Sequence, residues 1–261
     1  MGTKATSLEN HIALVYGGTA GIGLACVDAF AVAGARGVML VGRNHGRGEQ
    51  AIARLRDKYP AVEFDFVAAD AGTPEGAEKG VSVCVERFGR VDILLSTAGG
   101  DPMPAIYHTI AIEDIQGMVN GSLMSAMLPA RAVMPQMMEQ QSGVILTMAS
   151  DAGKVATPGE VAIGTAMAGV IMFTRALANE AKRSGIRVNC LTPSIVRNTP
   201  LYDVLMADPF ASKIFGKAEK MASLGVVEPE DLANMAAFLA SPAAARLSGQ
   251  AISINGGISM A

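Results

Sequence analysis

Cysteine is scarce in this sequence, and the three that occur, Cys26, Cys84 and Cys190, lie far apart in apolar surroundings. Their spacing is unlike that of cysteine clusters that ligate metals, so we expect no metal site. Isolated cysteines in apolar stretches are typical of buried thiols in a reducing compartment. The sequence therefore predicts three buried thiols.

Runs of like charge and long apolar runs are also missing. Lys and Arg number 21 against 24 Asp and Glu, and they form no basic run, which leaves binding to nucleic acid or an anionic membrane without electrostatic support. We recognise no signal peptide and expect no apolar run long enough to span a bilayer. These absences favour a cytoplasmic protein with neither a nucleic-acid nor a membrane partner.

Apolar residues are abundant and make up 50% of the 261 residues. A chain of this size and composition can bury one large core, and α/β proteins of this length are often one domain. We therefore expect a single domain over residues 1–261.

A glycine-rich turn at residues 16–23 stands between the apolar run 12–15 and the helix-periodic segment 24–33. Its glycines, in a Gly-x-x-x-Gly-x-Gly pattern, permit a tight turn and let the backbone approach a diphosphate, which the free N–H groups of the following helix can bind. The turn predicts a dinucleotide site. A turn that only packs a helix on a sheet would show the same pattern.

Short apolar runs alternate with helix-periodic segments along the chain. This βαβ alternation predicts a Rossmann-type, doubly wound parallel sheet of about seven strands with helices on both faces. Strands are predicted at 12–15, 38–41, 62–68, 91–95, 144–148, 187–191 and 251–254, and helices at 24–33, 47–58, 74–88, 112–140, 161–183 and 229–239.

Residues 194–225 lack a strong period and contain Pro200, Pro209 and Gly216. Such a stretch is either a substrate lid or evidence against the predicted elements. Its apolar side chains suggest an apolar or bulky ligand, or ordinary packing of the lid. They are Leu201, Tyr202, Leu205, Met206 and Phe210.

The predicted helix 112–140 contains Pro129 and Pro135, which should kink or stagger it. Methionines at positions 118, 124, 127, 134, 137 and 138 are typical of a core or a subunit interface rather than of a cofactor contact.

Motifs in order along essentially the whole chain resemble those of the short-chain dehydrogenase/reductases. The resemblance implies hydride transfer between a nicotinamide and a carbonyl or alcohol, in a homotetramer or dimer. The matching residues are Gly17, Gly21 and Gly23, Asp70, Ala98-Gly99, Asn120, Ser150, residues 185–189 leading to Pro193, Ser248-Gly249-Gln250 and Gly256-Gly257.

By this resemblance Ser150 orients the substrate oxygen and Asn120 holds a water of the proton relay. Alternatively, Ser150 caps a turn and Asn120 bonds within a kinked helix. Asn198 falls where a Thr usually contacts the nicotinamide amide, and Thr199 beside it can make the same bond. The cofactor residues that the resemblance implies are Gly17, Thr19, Gly21, Ile22, Gly23, Arg43, Asp70, Ala98, Gly99, Pro193, Val196 and Asn198.

The catalytic pair of the family, a Tyr and a Lys four residues later on one helix face, has no counterpart. An ungapped register from Ser150 puts Ile163 in the Tyr position and Met167 in the Lys position, and neither side chain can transfer a proton. Segment 160–170 holds neither residue type. The related enoyl-reductase arrangement, with a Tyr seven residues before the Lys, fails because that position is Glu160.

Further departures from the family pattern alter the fine geometry around the cofactor. Tyr16 stands where a Thr is usual, Ser96 replaces an Asn, and Ser194 replaces a Gly. At the end of the second strand, Arg43 offers a cation to a 2′-phosphate, whereas an acidic residue would accept bonds from a ribose hydroxyl. This favours NADP, with NAD as the second choice, unless Arg43 is a solvated surface residue or stacks on adenine.

Other groups near the predicted site can carry a proton, but none stands in a position with a known role. They are Tyr107, His108, Asp151, Lys154 and Glu160.

Three hypotheses remain. The chain is a family oxidoreductase with an atypical proton-transfer site that acts on an apolar carbonyl or acyl compound. The second hypothesis is an inactive homologue that serves as a partner subunit of an active relative or as a nucleotide-binding regulator. The third is an enzyme that performs a non-redox step on the same fold.

Overall fold

Seven strands form one parallel sheet in the computed structural model, which describes residues 6–100 and 103–261. The strands are β1 (Ile12–Tyr16), β2 (Gly37–Gly42), β3 (Glu63–Ala68), β4 (Ile93–Ser96), β5 (Gly143–Met148), β6 (Ile186–Pro193) and β7 (Ala251–Ile254). Their order is β3-β2-β1-β4-β5-β6-β7, and every neighbouring pair is parallel. The predicted Rossmann-type sheet is confirmed.

Helices cover both faces of the sheet. They are α1 (Gly21–Val32), α2 (His45–Lys58), α3 (Pro74–Phe88), α4 (Ile112–Gln140), α5 (Val161–Ala181), α6 (Pro200–Ala207), α7 (Ala211–Met221) and α8 (Pro229–Ala240). Alternate residues of each central strand point to opposite faces. Val15 and Leu40 pack with α1, α2 and α8, whereas Leu14 and Met39 pack with α3 and α4.

The stretch 194–225, in which no regular element was predicted, contains α6 and α7. Thr199 caps α6 by accepting the N–H of Tyr202, and Pro200 occupies the first turn. Leu205 and Phe215 pack the two helices together in a small separate cluster. Helix α6, with 8 residues, is too short to show a clear period, whereas α7 is amphipathic over its 11 residues and was not predicted.

Helix α4 is a single helix of 29 residues despite its two internal prolines. Of its methionines Met137 is fully buried, and Met138 is 48% exposed. The methionines of α4 are therefore divided between the core and the surface.

The expectation that no segment is long and apolar enough to cross a membrane is corrected by one helix. Residues Val161–Ser184 meet both criteria, with a mean hydropathy of 1.7. This helix includes α5, which packs against α4 and β6 as one of the layers on the sheet. Its apolar composition therefore has a structural use in the fold.

The three cysteines are free and buried, as predicted. Burial raises the pKa of Cys26 and of Cys84 to about 12 and that of Cys190 to about 11. All three thiols stay protonated at neutral pH and are poor nucleophiles.

Candidate functional site

The candidate site lies where the order of the sheet reverses, between β1 and β4. Strands β1, β4, β5 and β6 all end on this edge, so the loops that follow them meet there. In open α/β sheets a ligand binds in the crevice at this point.

Backbone geometry makes the first part of the site. Gly17 has a φ of +81°, and a Cβ on it would come within 2.5 Å of the Thr97 hydroxyl oxygen and 2.9 Å of the Ala98 nitrogen. A Cβ on Gly23 would overlap the carbonyl oxygen of Gly17. Helix α1 begins at Gly21 without a side-chain cap. Its first N–H groups therefore remain available to an anion.

Tyr16, at the family's usual Thr position, does not intrude into this turn. Its ring is fully buried and its hydroxyl donates to the Ala77 carbonyl oxygen at 2.5 Å, in α3. A Cβ at Gly80 would overlap the Tyr16 hydroxyl. The absence of a side chain at Gly80 makes room for the larger residue.

Two spaces share the glycine turn as part of their walls. We call the first the outer groove, a space of about 600 Å³ that runs from the turn towards the ends of β2 and β3. Of the predicted cofactor residues it is lined by Gly17, Thr19, Arg43, Asp70, Ala98 and Gly99.

A second cation, Arg47, lines the outer groove beside Arg43, and both are exposed. Asn44 caps α2 by accepting the N–H of Arg47 at 2.9 Å, which fixes the start of the helix between the two arginines. The sequence analysis missed Arg47. Its position four residues after Arg43, in the first turn of a predicted helix, was the available signal.

We call the second space the inner cavity, which has a volume of about 310 Å³ and extends from the turn towards the ends of β5 and β6. Ser150 lies in its wall. The Ser150 hydroxyl accepts the N–H of Ala152 at 3.2 Å, so it does cap a turn. That bond uses an oxygen lone pair and leaves the O–H free to donate. Predicted cofactor residues that line this cavity are Gly17, Gly21, Ile22, Gly23, Ala98, Gly99, Pro193 and Val196.

Helix α5 forms another part of the wall of the inner cavity. Ile163 and Met167 line the inner cavity with Ser150, and Glu160, at the start of the helix, lines it too. Positions 160, 163 and 167 follow the three-and-four spacing of one helix face. That Ile163 and Met167 replace a Tyr and a Lys stays a prediction from the resemblance.

Glu160 is a buried carboxyl, 9% exposed. Burial raises the pKa of Glu160 above its ordinary value, and a hydrogen bond with the Thr157 side chain opposes the rise. The carboxyl does not cap α5, and it forms no salt bridge within residues 6–100 and 103–261.

The structure does not bring Asn120 together with Ser150. Asn120 is exposed and lines the outer groove, whereas Ser122 is buried in the wall of the inner cavity and donates to the Gly99 carbonyl oxygen at 3.3 Å. Two residues turn a helix by about 200°, which separates the two side chains. The role of Asn120 in a proton relay stays a prediction, and Ser122, which was not predicted from the sequence, lies in the wall of the inner cavity.

Asn198 also lies apart from both spaces. It is exposed, with a φ of +57°, and it lines neither of them. Thr199 lines the inner cavity, but its hydroxyl donates to the Val196 carbonyl oxygen at 3.0 Å and accepts the N–H of Tyr202 at 3.1 Å. Of the two predicted alternatives, Thr199 is the one at the cavity wall.

Asp151 and Lys154 face the C-terminal segment. Asp151 accepts hydrogen bonds from Ser253 at 3.2 Å, Asn255 at 2.5 Å and Ser259 at 2.8 Å. Lys154 donates to Ser253 and to the Ala251 carbonyl oxygen, both at 2.8 Å, and burial lowers the Lys154 pKa. This network, which we call the Asp151 network, anchors the loop that carries Ser150.

Tyr107 and His108, the other proton carriers considered, lie in a short 3₁₀ helix and line neither space. Tyr202 does line the inner cavity, but its hydroxyl donates to the Glu219 carboxylate at 3.0 Å, which also pairs with Arg197 at 2.9 Å.

Comparisons with known proteins agree with this geometry. The family model described as Enoyl-(Acyl carrier protein) reductase matches residues 17–259. The chain is 32% identical to the 2,3-dihydroxy-2,3-dihydro-p-cumate dehydrogenase of Pseudomonas putida, over 98% of this chain and 97% of that one. It is 30% identical to the 3-oxoacyl-(acyl-carrier-protein) reductase of Synechocystis sp., over 98% and 99%. A short-chain type dehydrogenase/reductase from Mycobacterium ulcerans has the same fold, with a TM-score of 0.87, 26% identity and coverage of 97% and 90%.

Proposed function

Because the chain belongs to the short-chain dehydrogenase/reductase family, we propose that it is an NADP(H)-dependent oxidoreductase that acts on a carbonyl or alcohol group. The observation that carries the proposal is that the two spaces share the glycine turn. A dinucleotide with its diphosphate at this turn would be held by residues of both spaces, including Arg43 of the outer groove and Ser150 of the inner cavity.

The residues of the turn fit the dinucleotide. The space beside Gly17 and Gly23 is what a Cβ would fill, and the uncapped N–H groups of α1 suit a diphosphate. Arg43 and Arg47 supply two cations where a 2′-phosphate would bind, and arginine forks bind phosphate oxygens in pairs. This favours NADP over NAD.

The wall of the inner cavity supports an apolar carbonyl or acyl substrate. Apolar side chains come from α5, α6 and α7, while the Ser150 hydroxyl is placed to orient a substrate oxygen by hydrogen bonding. When bound, NADPH supplies a hydride to the substrate carbon. The chain's own contribution is to position the substrate, exclude water from it and hold its oxygen. The apolar wall residues are Ile163, Met167, Leu201, Leu205 and Phe215.

The proposal is tested by incubating the purified chain with NADPH and a panel of ketones. We expect saturable nucleotide binding, followed by ketone-dependent NADPH oxidation. The matched variant carries Ile163→Tyr with Met167→Lys, which restores a phenol and a cation on the α5 face and should raise the rate. NADPH binding without oxidation by either protein would favour an inactive, nucleotide-binding homologue, and no binding at all would refute the cofactor assignment.

We also propose a homo-oligomer, dimer or tetramer, on the strength of apolar side chains that α4 and α5 leave at the surface. Met138 is 48% exposed and Met172 is 60% exposed. Light scattering after size exclusion measures the mass directly. A monomer would contradict the proposal, and co-purification with a relative that retains Tyr and Lys would replace it with a hetero-oligomer.

A further inference from the structure

The inner cavity lacks the usual proton donor but not every proton donor. Among the described residues, its wall contains three titratable side chains, Arg47, Tyr202 and Glu160. Arginine stays protonated at any working pH, and the Tyr202 hydroxyl is bonded to the Glu219 carboxylate. Glu160 is the remaining group that can release a proton into the cavity.

The position of Glu160 matches this task. It is the N-cap residue of α5, three residues before Ile163, and it lines the inner cavity together with Ile163 and Ser150. We propose that Glu160 is the catalytic acid and base of this chain, which gives a proton to the substrate oxygen during reduction and takes it back during oxidation. This inference depends on the proposed oxidoreductase function.

The surroundings of Glu160 favour a protonated carboxyl. No other charged group of the described residues pairs with it, and Thr157 supplies the one side-chain hydrogen bond that opposes the effect of burial. The charged and titratable groups that share its cavity are Arg47, in the first turn of α2, and Tyr202, on α6. A raised pKa keeps the acid form present to a higher pH than for an exposed glutamate, as general acid catalysis requires.

The step balances. The carbonyl carbon gains a hydride, two electrons and one proton, from NADPH, which becomes NADP⁺. The C=O π bond breaks, and its electron pair forms the new O–H bond with the Glu160 proton. The carboxylate left on Glu160 regains a proton from water. In the reverse direction the carboxylate removes the alcohol proton as the hydride leaves.

The test compares Glu160→Gln with Glu180→Gln, which makes the same chemical change at an exposed position near the other end of α5. Gln imitates the protonated carboxyl in shape and charge but has no acidic proton, so the fold and the NADPH dissociation constant should hold. We expect kcat for ketone reduction to fall about a hundred to ten thousand fold in Glu160→Gln and to stay unchanged in Glu180→Gln. Glu160→Asp, which keeps an acid, should recover part of the rate.

Two pH measurements separate an acid from a residue that only packs. The wild-type reduction rate should fall as pH rises through the Glu160 pKa, and Glu160→Gln should lack that dependence. Independently of activity, carbon NMR of protein labelled at glutamate Cδ should show one carboxyl, absent in Glu160→Gln, that titrates above the others.

The outcomes separate the two proposals. Ketone reduction that survives Glu160→Gln with the same rate and pH profile refutes the role of Glu160 and leaves the oxidoreductase function intact. A Glu160 resonance that titrates with the exposed glutamates also refutes it. If the wild-type chain reduces no ketone, the oxidoreductase proposal fails, and the role of Glu160 fails with it.

Discussion

The glycine turn and the α5 face are two halves of one site, built in different ways. The turn is made by the backbone: glycines at Gly17 and Gly23 leave room, and α1 supplies N–H groups. The α5 face is made by side chains, and there Glu160, Ile163 and Met167 decide what the cavity can do. A backbone site depends on the fold, whereas a side-chain site can change completely while the fold stays the same.

This difference decides which properties can be inferred from similarity to a family. Because the turn also packs α1 on the sheet, most of its substitutions would damage both folding and binding. On the α5 face folding and chemistry are not tied in this way, because apolar residues such as Ile163 and Met167 can pack in the cavity wall in place of catalytic ones. Nucleotide binding therefore follows from the fold more securely than the chemistry does.

The largest effect should come from filling the turn. Gly23→Val would press side-chain atoms into the Gly17 carbonyl group, so we expect a loss of more than about 3 kcal/mol in unfolding free energy and no measurable NADPH binding. Urea unfolding and nucleotide titration measure both. The control is Gly34→Ala. Gly34 has a φ of +86° but open space around it, so this variant should lose only about 1 to 2 kcal/mol of unfolding free energy. Equal effects of the two variants would show that the turn is not tightly packed.

The next effect should come from removing Asp151, whose hydrogen bonds anchor the loop that carries Ser150. Asp151→Ala removes the acceptor for Ser253, Asn255 and Ser259, so we expect a loss of about 2 to 3 kcal/mol in unfolding free energy. NADPH affinity at the turn should change little. Asp57→Ala, an exposed position on α2, serves as the control and should stay within about 0.5 kcal/mol of wild type. A matching loss of NADPH affinity would mean that the two halves are coupled.

A smaller effect should follow from removing one groove cation. Arg43→Ala should weaken NADPH binding about tenfold, the equivalent of about 1.4 kcal/mol, and leave NADH binding unchanged, because only NADPH carries the 2′-phosphate. Fluorescence titration of both nucleotides measures the ratio. The control is Arg54→Ala on α2, where the arginine pairs with Asp28 instead. Unchanged NADPH affinity would leave Arg43 as a solvated surface residue.

The smallest effect is a pH dependence of stability. A carboxyl whose pKa is raised by folding adds stability below its unfolded pKa and loses that contribution as pH rises through the folded pKa. Glu160→Gln has no proton to lose, so its unfolding free energy relative to wild type should improve as pH rises from about 4 upward. Urea unfolding across pH measures this difference. A constant difference at every pH would mean that folding leaves the Glu160 pKa unshifted.

The sheet could be predicted because parallel strands that are buried on both faces appear as short apolar runs. In β1, for example, Leu14 packs on one face of the sheet and Val15 on the other. Helix α6 could not, since its 8 residues are too few to show a period, and α7 was not predicted although its 11 residues are amphipathic. Asn120 illustrates a different limit. Two positions two residues apart on a helix face different directions, and only the coordinates show that Asn120 lines the outer groove and Ser122 the inner cavity.

The surroundings of Glu160 could not be predicted from the sequence. The sequence gives only a carboxyl that follows Gly159 at the start of a helix. Its burial, which raises the pKa of the carboxyl, and the lack of a salt-bridge partner among the described residues are tertiary properties that the sequence does not show.

The pairing of Tyr16 with Gly80 has a consequence for ancestry. A side chain at Gly80 would collide with the tyrosine, and a smaller residue at Tyr16 would leave a hole against α3, so neither position can change freely alone. Descendants of one ancestral chain should therefore inherit the two residues together. An alignment of relatives should show that these two residues, 64 positions apart, change together.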